Sequence, residues 1–232
     1  WRPSIVKKKF CLITGGNGFL GSRFCKFFSS INYHVISVDK YLESKSKSSK
    51  FSKNITKLKC DITKELEVKN LISKFKTKKI DVLINNAAID AIPKSATKSN
   101  LIYPDLNTWK KEIDVGITGS FICSRVFGAT MADERSGVII NILSDLAIRA
   151  PDQRVYSPTM SFDDIESYKP LGYSIVKTAL IGMTRYLAEY WGHKNVRVNA
   201  LLPGGVYNNQ PQQLVDNVKK RTLLGRWAKV DE

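Results

Sequence analysis

Short runs rich in valine and isoleucine alternate along the chain with segments whose apolar residues follow a helical spacing. Five clear strand candidates and a weaker one are FCLIT, HVISVD, IDVLINNAA, GVIINILS, VRVNALLPG and, least clearly, ITKLKCD. The predicted helices between them include FLGSRFCKFFSSI, KELEVKNLISKF, WKKEIDVGITGSFICSRVFGATM and YSIVKTALIGMTRYLAEYW. Such alternation is typical of a parallel sheet covered on both faces. The sequence therefore predicts an α/β fold, a doubly wound parallel sheet with helices on both faces.

The length of the chain limits how many such sheets it can contain. At 232 residues it can form one large α/β domain with a substantial core, and it is short for two. Neither a linker nor an internal repeat interrupts the alternation. We therefore expect residues 1–232 to form a single domain, with the lysine- and serine-rich residues 43–59 as a mobile surface loop.

Composition argues against several classes of protein. Hydrophobic residues make up 43% and charged residues 25%, which is ordinary for a soluble globular protein. The apolar runs are far shorter than a membrane span, and the N-terminal stretch has no secretory pattern. The four cysteines are scattered without a CxxC pair, and only two histidines accompany them. We therefore expect no metal site, no membrane partner, and reduced thiols in a cytoplasmic protein.

The strong positive charge raises the question of an anionic partner. The net charge is +16, from 37 Lys and Arg against 21 Asp and Glu, which permits binding of nucleic acid or an anionic substrate. Much of the lysine falls in residues 43–59 and 73–79, which we interpret as solvated surface. We therefore expect no nucleic-acid partner. A steep salt dependence of DNA retention would revive that alternative.

The first predicted strand runs directly into TGGNGFLG at residues 14–21. Gly15 would form the tight turn, Gly18 would let the backbone approach a pyrophosphate, and Gly21 would let the next helix pack closely. The N-terminus of that helix would offer free N–H groups and the positive end of its dipole. This arrangement predicts a dinucleotide site, and a plain strand–helix turn is the alternative.

An acidic residue closes the second predicted strand. Asp39 lies about twenty residues beyond the glycines, where a carboxylate would accept hydrogen bonds from the adenosine ribose and repel a 2′-phosphate. This favours NAD over NADP. The adjacent Lys40 weakens the inference because a lysine can pair with that phosphate, and a polar residue that merely ends a strand is the alternative for Asp39.

Six motifs occur in the order found in short-chain dehydrogenases/reductases, and together they span nearly the whole chain. They are TGGNGFLG, Asp61, NNAA at residues 85–88, Ser144, YSIVK at residues 173–177 and LPGGVYN at residues 202–208. Each motif alone is a modest signal, whereas six in order are specific. The chain therefore resembles this family. The glycine spacing is similar to that of the extended branch, but the short length resembles the compact, oxidoreductase branch, which implies a Rossmann-like fold.

The resemblance implies roles for particular residues. In the family's mechanism the tyrosine is the general acid/base, and Tyr173 and Lys177 are spaced to share one helix face. The ammonium and a nearby nicotinamide cation would lower the tyrosine pKa from its usual value near 10. Ser144 would hydrogen-bond the substrate oxygen. The implied catalytic residues are Ser144, Tyr173 and Lys177, and the implied cofactor-binding residues are Gly15, Asn17, Gly18, Phe19, Leu20, Asp39, Asp61, Ile62, Asn86, Ala87, Ala88, Tyr173, Lys177, Pro203, Gly204, Val206 and Asn208.

Three features depart from the family's pattern. Gly116 stands where the family usually has an asparagine that holds a proton-relay water, so the relay would need other groups, or Asp114 nearby. Residues 145–172 place more chain than usual between the serine and the tyrosine and are expected to form an enlarged substrate loop. The chain ends at Glu232, before the family's last helix and seventh strand, which would leave one edge of the sheet unpaired.

The resemblance implies an NAD-dependent oxidoreductase that interconverts an alcohol and a ketone by hydride transfer. The enlarged loop resembles that of flagellin-modification and surface-polysaccharide oxidoreductases, which points to a sugar, with phosphorylated and nucleotide-activated sugars as candidates. Two alternatives stay open: a reductase of acyl-carrier-protein-linked or other small carbonyl substrates, and a dinucleotide-binding sensor or scaffold that has lost catalysis. Family members pair through two of the predicted helices, which implies a homodimer or homotetramer.

Overall fold

The computed structural model describes residues 8–42, 52–74, 79–89, 106–165 and 168–232. Six strands form one sheet in the order β3-β2-β1-β4-β5-β6. Strand β1 pairs in parallel with β2 and β4, β2 pairs in parallel with β3, and β4 pairs in parallel with β5. This is the strand order of doubly wound dinucleotide-binding sheets, and it confirms the predicted fold class. The strands are β1 Lys9–Thr14, β2 Tyr33–Asp39, β3 Ile55–Lys59, β4 Val82–Asn85, β5 Gly137–Ile142 and β6 Val196–Leu201.

Six α-helices accompany the strands: α1 Phe19–Ser30, α2 Glu65–Lys74, α3 Leu106–Ile113, α4 Ser120–Asp133, α5 Leu171–Gly192 and α6 Gln212–Lys219. A π-helical segment, Asp114–Gly119, joins α3 to α4, so the long predicted middle helix consists of three consecutive segments. Helix α6 has no counterpart among the predicted elements. Residues 43–51 of the predicted surface loop lie outside the described residues.

The central strands are buried on both faces of the sheet. Consecutive residues Leu12 and Ile13 of β1, and Leu83 and Ile84 of β4, are each at most 2% exposed. Successive side chains of a strand point to opposite faces, so both faces of these strands are covered. This burial on both faces explains why these strand segments are runs of valine, isoleucine and leucine and do not alternate with polar residues.

The chain divides into two compact units. The first comprises Trp1–Ala87, Gly119–Asn141 and Thr184–Asn199, and it contains the glycine turn. The second comprises Ala88–Thr118, Ile142–Met183 and Ala200–Glu232, and it contains Ser144, Tyr173 and Lys177. That residues 1–232 form a single domain stays a prediction.

One helical stretch in the described part of the chain, Leu106–Asp133, is long and apolar enough to span a membrane by length and composition, with a mean hydropathy of 1.2. The protein itself buries 56% of the qualifying window. A core helix passes the same test, so the stretch is weak evidence for a membrane span.

Candidate active site

Glycine is required in the turn after β1, at Gly15, and in the first turn of α1, at Gly21. Gly15 has a φ of +64°, and a Cβ atom there would lie 2.9 Å from the Cα of Ala87. A Cβ atom at Gly21 would clash with the carbonyl oxygen of Gly15. Gly18 is exposed, and α1 begins directly after it without a side-chain cap. The turn therefore leaves its backbone and the first N–H groups of α1 accessible, as a bound phosphate would require.

The end of β4 is tied to this turn by hydrogen bonds. The side-chain amide of Asn86 donates to the backbone oxygens of Thr14 and Gly15, at 2.9 and 3.2 Å. The backbone N–H groups of Asn86 and Ala87 donate to Thr14 Oγ1, at 3.0 and 3.1 Å. Asn86 was expected among the cofactor-binding residues, and these bonds give its side chain a part in holding the glycine turn.

Asp39 is fixed against the same turn. Its carboxylate accepts hydrogen bonds from the backbone N–H groups of Asn17 and Tyr41, each at 3.1 Å. The side chain of Asn17 donates in turn to the backbone oxygen of Tyr41, at 2.5 Å. The carboxylate is half-buried, and two oxygens that each accept one bond retain further lone pairs for ribose hydroxyls.

Lys40 and Asp61 form an ion pair at the ends of neighbouring strands, with 2.9 Å between Lys40 Nζ and a carboxylate oxygen of Asp61. Thr63 donates twice to the other oxygen of Asp61, from its backbone N–H at 3.1 Å and its hydroxyl at 2.7 Å. Burial alone would raise the pKa of Asp61, but the bonds from Thr63 and Lys40 hold that pKa below its ordinary value. An adenine amino group would therefore share this carboxylate with existing donors.

In the second unit, α5 brings Tyr173 and Lys177 together. Lys177 is only 4% exposed, and its Nζ lies 5.6 Å from the centre of the Tyr173 ring. The same Nζ donates to the backbone oxygen of Ile142 at 2.7 Å, and Thr178 Oγ1 donates to the backbone oxygen of Ala147 at 3.1 Å. Helix α5 thus binds the chain on both sides of Ser144.

Ser144 begins the turn that follows β5. Its hydroxyl accepts a hydrogen bond from the Leu146 N–H at 3.2 Å and donates to an oxygen of Asp145 at 2.9 Å. The backbone N–H of Asp145 donates to the oxygen of Pro203 at 3.0 Å. The serine therefore caps a turn, and that turn also binds the start of the LPGGVYN segment, which contains residues expected to bind the cofactor.

Residues 203–208 are held by the end of the chain. Val206 pairs with Ala228 in a parallel bridge, and a Cβ atom at Gly205 would lie 2.9 Å from the indole ring of Trp227. The Trp227 indole N–H donates to the oxygen of Val215 in α6 at 3.1 Å. Asn208 is exposed. The sequence interpretation missed these supporting residues, and the only signal for them was an isolated tryptophan near the end of the chain.

The position expected to carry a relay asparagine has no room for a side chain. Gly116 is buried in the π-helical segment, and a Cβ atom there would clash with Cγ1 of Val176. Asp114, the suggested substitute, is exposed. Four residues before Gly116, the side chain of Glu112 is only 4% exposed. Its carboxyl group lies against Gly172, the residue before Tyr173. The sequence interpretation did not single out this buried carboxylate.

Within the second unit, the predicted substrate loop, of which residues 145–165 and 168–172 are described, is hydrogen-bonded to helix α6. The side chain of Asn217 in α6 is buried and donates to the oxygens of Val155 and Ser157, at 3.1 and 2.9 Å. Arg154 forms an ion pair with Asp152 at 2.9 Å. Arg149 is paired with Asp145. Both arginines of this loop thus have acidic partners within it, which limits their use as cations for an anionic substrate.

The described residues contain no group of three or more His, Cys, Asp or Glu side chains able to hold a metal ion. The four cysteines are buried free thiols. Burial raises the pKa of Cys60 to about 11 and raises the pKa of Cys11 and Cys123 further. At neutral pH these thiols are protonated and poorly nucleophilic.

A family model and known proteins match most of the chain in sequence. The family model described as enoyl-(acyl carrier protein) reductase matches residues 31–232. A peroxisomal 2,4-dienoyl-CoA reductase from Rattus norvegicus is 28% identical over 211 residues, which cover 88% of this chain and 65% of that protein. The chain thus spans slightly less than two thirds of that relative's length.

Two solved structures are similar over almost the whole chain. A short-chain dehydrogenase from Leptospira borgpetersenii serovar Hardjo-bovis with bound NAD+ has a TM-score of 0.81 at 27% identity, covering 97% of this chain and 82% of the other. The structure of ElxO with NADP bound has a TM-score of 0.80 at 25% identity, covering 96% and 87%. The chain belongs to the short-chain dehydrogenase/reductase family, a family of NAD(P)-dependent oxidoreductases.

Proposed function

We propose that this chain interconverts an alcohol and a ketone by hydride transfer, with Tyr173 as the general acid/base. The observation that carries the proposal is the buried Lys177 ammonium, which shares a helix face with Tyr173 and binds the oxygen of Ile142, two residues before Ser144. A buried cation near the ring favours the phenolate, which is the form of Tyr173 that accepts a proton. Ser144 Oγ would orient the substrate oxygen toward that phenol.

The nicotinamide cofactor, when bound, supplies or accepts the hydride. The residues present fit such a group for two reasons. Gly15 and Gly21 allow close backbone packing that a Cβ atom at either position would prevent, and the backbone of Gly18 is exposed to a bound phosphate. In our proposal the turn residues Asn17, Phe19 and Leu20, the strand-end residues Asp61, Ile62, Asn86, Ala87 and Ala88, and the loop residues Pro203, Gly204, Val206 and Asn208 complete the cofactor site.

We propose NAD as the preferred cofactor. Asp39 would accept from the ribose hydroxyls and repel a 2′-phosphate. The pairing of Lys40 with Asp61 adds to this argument, because the cation best placed to attract such a phosphate already has a carboxylate partner. Solved structures of similar proteins carry NAD+ in one case and NADP in another, so the preference rests on these three residues.

For the substrate we propose a sugar or sugar derivative used in surface glycan biosynthesis. The resemblance of the enlarged loop to that of surface-polysaccharide oxidoreductases supports this choice. The ion pairs of Arg149 and Arg154 within the loop reduce their value as phosphate ligands. A carbonyl linked to a thioester is the second candidate. The description of the matching family and the name of the rat relative favour a thioester-linked substrate, but both name the reduction of a carbon–carbon double bond.

We propose that the protein acts in the cytoplasm on a small molecule, as a homodimer or homotetramer. A catalytically silent dinucleotide sensor is the alternative, favoured only by the missing relay asparagine at Gly116.

A substrate screen tests the proposed function. The purified protein is offered NAD or NADP with sugars, nucleotide sugars and acyl thioesters, and absorbance of the reduced nicotinamide is followed. We expect turnover within the sugar group. Turnover only with thioesters would select the second candidate, and cofactor binding with no turnover in any group would favour the sensor.

A further inference from the structure

A second lysine lies closer to the Tyr173 ring than the lysine of the YSIVK motif. The Nζ of Lys169 is 3.9 Å from the centre of the ring, whereas the Nζ of Lys177 is 5.6 Å away. Lys169 precedes α5, whose first residue is Leu171, so its approach to the ring is set by the substrate loop. The spacing of the motif gives no reason to expect it.

The backbone of Lys169 is held in place by one side chain. Gln153 Oε1 accepts a hydrogen bond from the Lys169 N–H at 2.8 Å, and Gln153 Nε2 donates to the Lys169 oxygen at 3.4 Å. Gln153 itself starts a short 3₁₀ turn that is capped by Asp152. The turn ends next to Ser157, whose oxygen accepts a bond from Asn217. Hydrogen bonds within the substrate loop therefore fix the backbone position of Lys169.

We propose that Lys169 is a positioning residue that stabilises the phenolate form of Tyr173, an inference that rests on the proposed catalytic role of that tyrosine. A cation over the face of an aromatic ring is attracted by the electrons of that ring. The attraction grows when the phenol loses its proton, because the ring then carries a negative charge. Lys169 thus favours the form of Tyr173 that accepts a proton from an alcohol.

The other charges around the N-terminal part of α5 explain why a second cation is useful. Lys177 acts in the same direction from within the helix. Glu112 of α3 is buried with its carboxyl group against Gly172, and in its ionised form it would act in the opposite direction on a neighbouring phenolate. The Asp145–Arg149 pair next to Ser144 adds no net charge. Lys169 would offset the ionised form of Glu112.

The sign of the effect follows directly. Loss of Lys169 disfavours phenolate, so the pKa of Tyr173 rises and alcohol oxidation, which requires phenolate, begins at higher pH. We expect Lys169→Met to raise this pKa by roughly one unit. Lys169→Arg keeps the charge and should produce a smaller shift. Gln153→Ala, which releases the backbone of Lys169, should shift the pKa in the same direction.

The test is a titration followed by ultraviolet absorbance of tyrosinate, with NAD bound. The protein has nine tyrosines, so the signal of Tyr173 is the difference between each protein and the same protein carrying Tyr173→Phe. Lys219→Met, which removes an exposed lysine of α6, is the matched control and should leave the titration unchanged. The pH dependence of kcat is measured in parallel on the substrate found in the screen.

An upward shift in Lys169→Met, with little change in Lys169→Arg, supports the inference. An unchanged titration in both Lys169→Met and Gln153→Ala overturns it, as does a rise in KM for anionic substrates without any shift. The outcome is separable from the proposed function. If Tyr173→Phe keeps full turnover, the proposed function fails, whereas loss of turnover in Tyr173→Phe with no shift in Lys169→Met rejects only the role of Lys169.

Discussion

The ammonium of Lys40 lies 2.9 Å from a carboxylate oxygen of Asp61, and this pair joins the ends of β2 and β3. The hydrogen bond that Lys40 donates to Asp61 raises the pKa of the lysine. In our proposal Asp39 binds the ribose, and an unpaired lysine directly after it would attract a 2′-phosphate. We therefore propose that the pair links cofactor choice to a carboxylate that follows the neighbouring strand.

The first prediction concerns cofactor choice. NAD should bind more tightly than NADP, and Asp39→Ala should narrow the gap, because the substitution removes both the acceptor for the ribose hydroxyls and the repulsion of a 2′-phosphate. Isothermal calorimetry with each cofactor measures the two affinities. Equal or reversed affinities in the unmutated protein would contradict the prediction.

A companion pair of variants isolates Lys40. Asp61→Asn removes the charge that neutralises Lys40, so the ratio of NADP to NAD affinity should rise by up to roughly tenfold. The double variant with Lys40→Met should lose that gain. Using the ratio corrects for any contact that Asp61 makes with the adenine, which the two cofactors share.

The second prediction concerns Gly116. Gly116→Ala should lower the free energy of unfolding by about 1 to 3 kcal/mol, because its Cβ atom would clash with Val176. Gly192→Ala is the control, since a Cβ atom at that helical position meets nothing within 4 Å, and it should be neutral or stabilising by up to about 1 kcal/mol. Denaturant unfolding measures both. Equal effects of the two substitutions would show that Val176 does not restrict this position.

The order of elements was predictable from sequence because the periodicity of the core strands and helices is strong. The run HVISVD gave β2 to within one residue, and YSIVK marked the start of α5 to within two. The π-helical segment was not predictable, since no spacing in the sequence marks the switch from α- to π-helical bonding at Asp114. Helix α6 was missed because it is short and only Val215 and Asn217 in it are buried.

The candidate site was predictable only as far as local motifs reach. The turn at Gly15 and the shared helix face of Tyr173 and Lys177 follow from spacing alone. The pairing of Lys40 with Asp61, and the approach of Glu112 to Gly172, join residues that are far apart in sequence. No periodicity encodes such contacts, because they depend on how separate elements pack.

The third prediction concerns the substrate loop. Asn217→Leu should lower the free energy of unfolding by about 2 kcal/mol, because it leaves the buried oxygens of Val155 and Ser157 without their donor. Loosening the loop should raise KM for the substrate while leaving NAD affinity nearly unchanged. Gln212→Ala, a substitution at an exposed position of the same helix, should change the free energy of unfolding by no more than about 0.5 kcal/mol. A loss of NAD affinity equal to the loss for the substrate would argue against a separate substrate loop.

The fourth prediction concerns assembly. Helix α5 buries Val176, Leu180 and Leu187, but Tyr186 and Tyr190 are 69% and 57% exposed and stack on each other. Exposed aromatic side chains on a long helix are typical of an interface, and we expect a homo-oligomer with two-fold symmetry.

Light scattering at micromolar concentration tests this expectation. The double variant Tyr186→Glu with Tyr190→Glu should shift the protein toward the monomer. Phe27→Glu, at an equally exposed aromatic position of α1, should leave the assembly unchanged. A monomeric unmutated protein, or equal dissociation by both sets of substitutions, would contradict an interface on α5.

The most direct test of the central claim is the turnover number of Tyr173→Phe on the substrate identified in the screen, with Tyr190→Phe in the same helix as control. The substitution removes only a hydroxyl, so we expect retained folding and NAD binding, with turnover reduced by about 10²- to 10⁴-fold, as is typical for loss of a general acid/base. The control should turn over normally. Near-normal turnover by Tyr173→Phe would mean that Tyr173 and Lys177 are no more than neighbours on a helix face, and it would contradict the proposed mechanism.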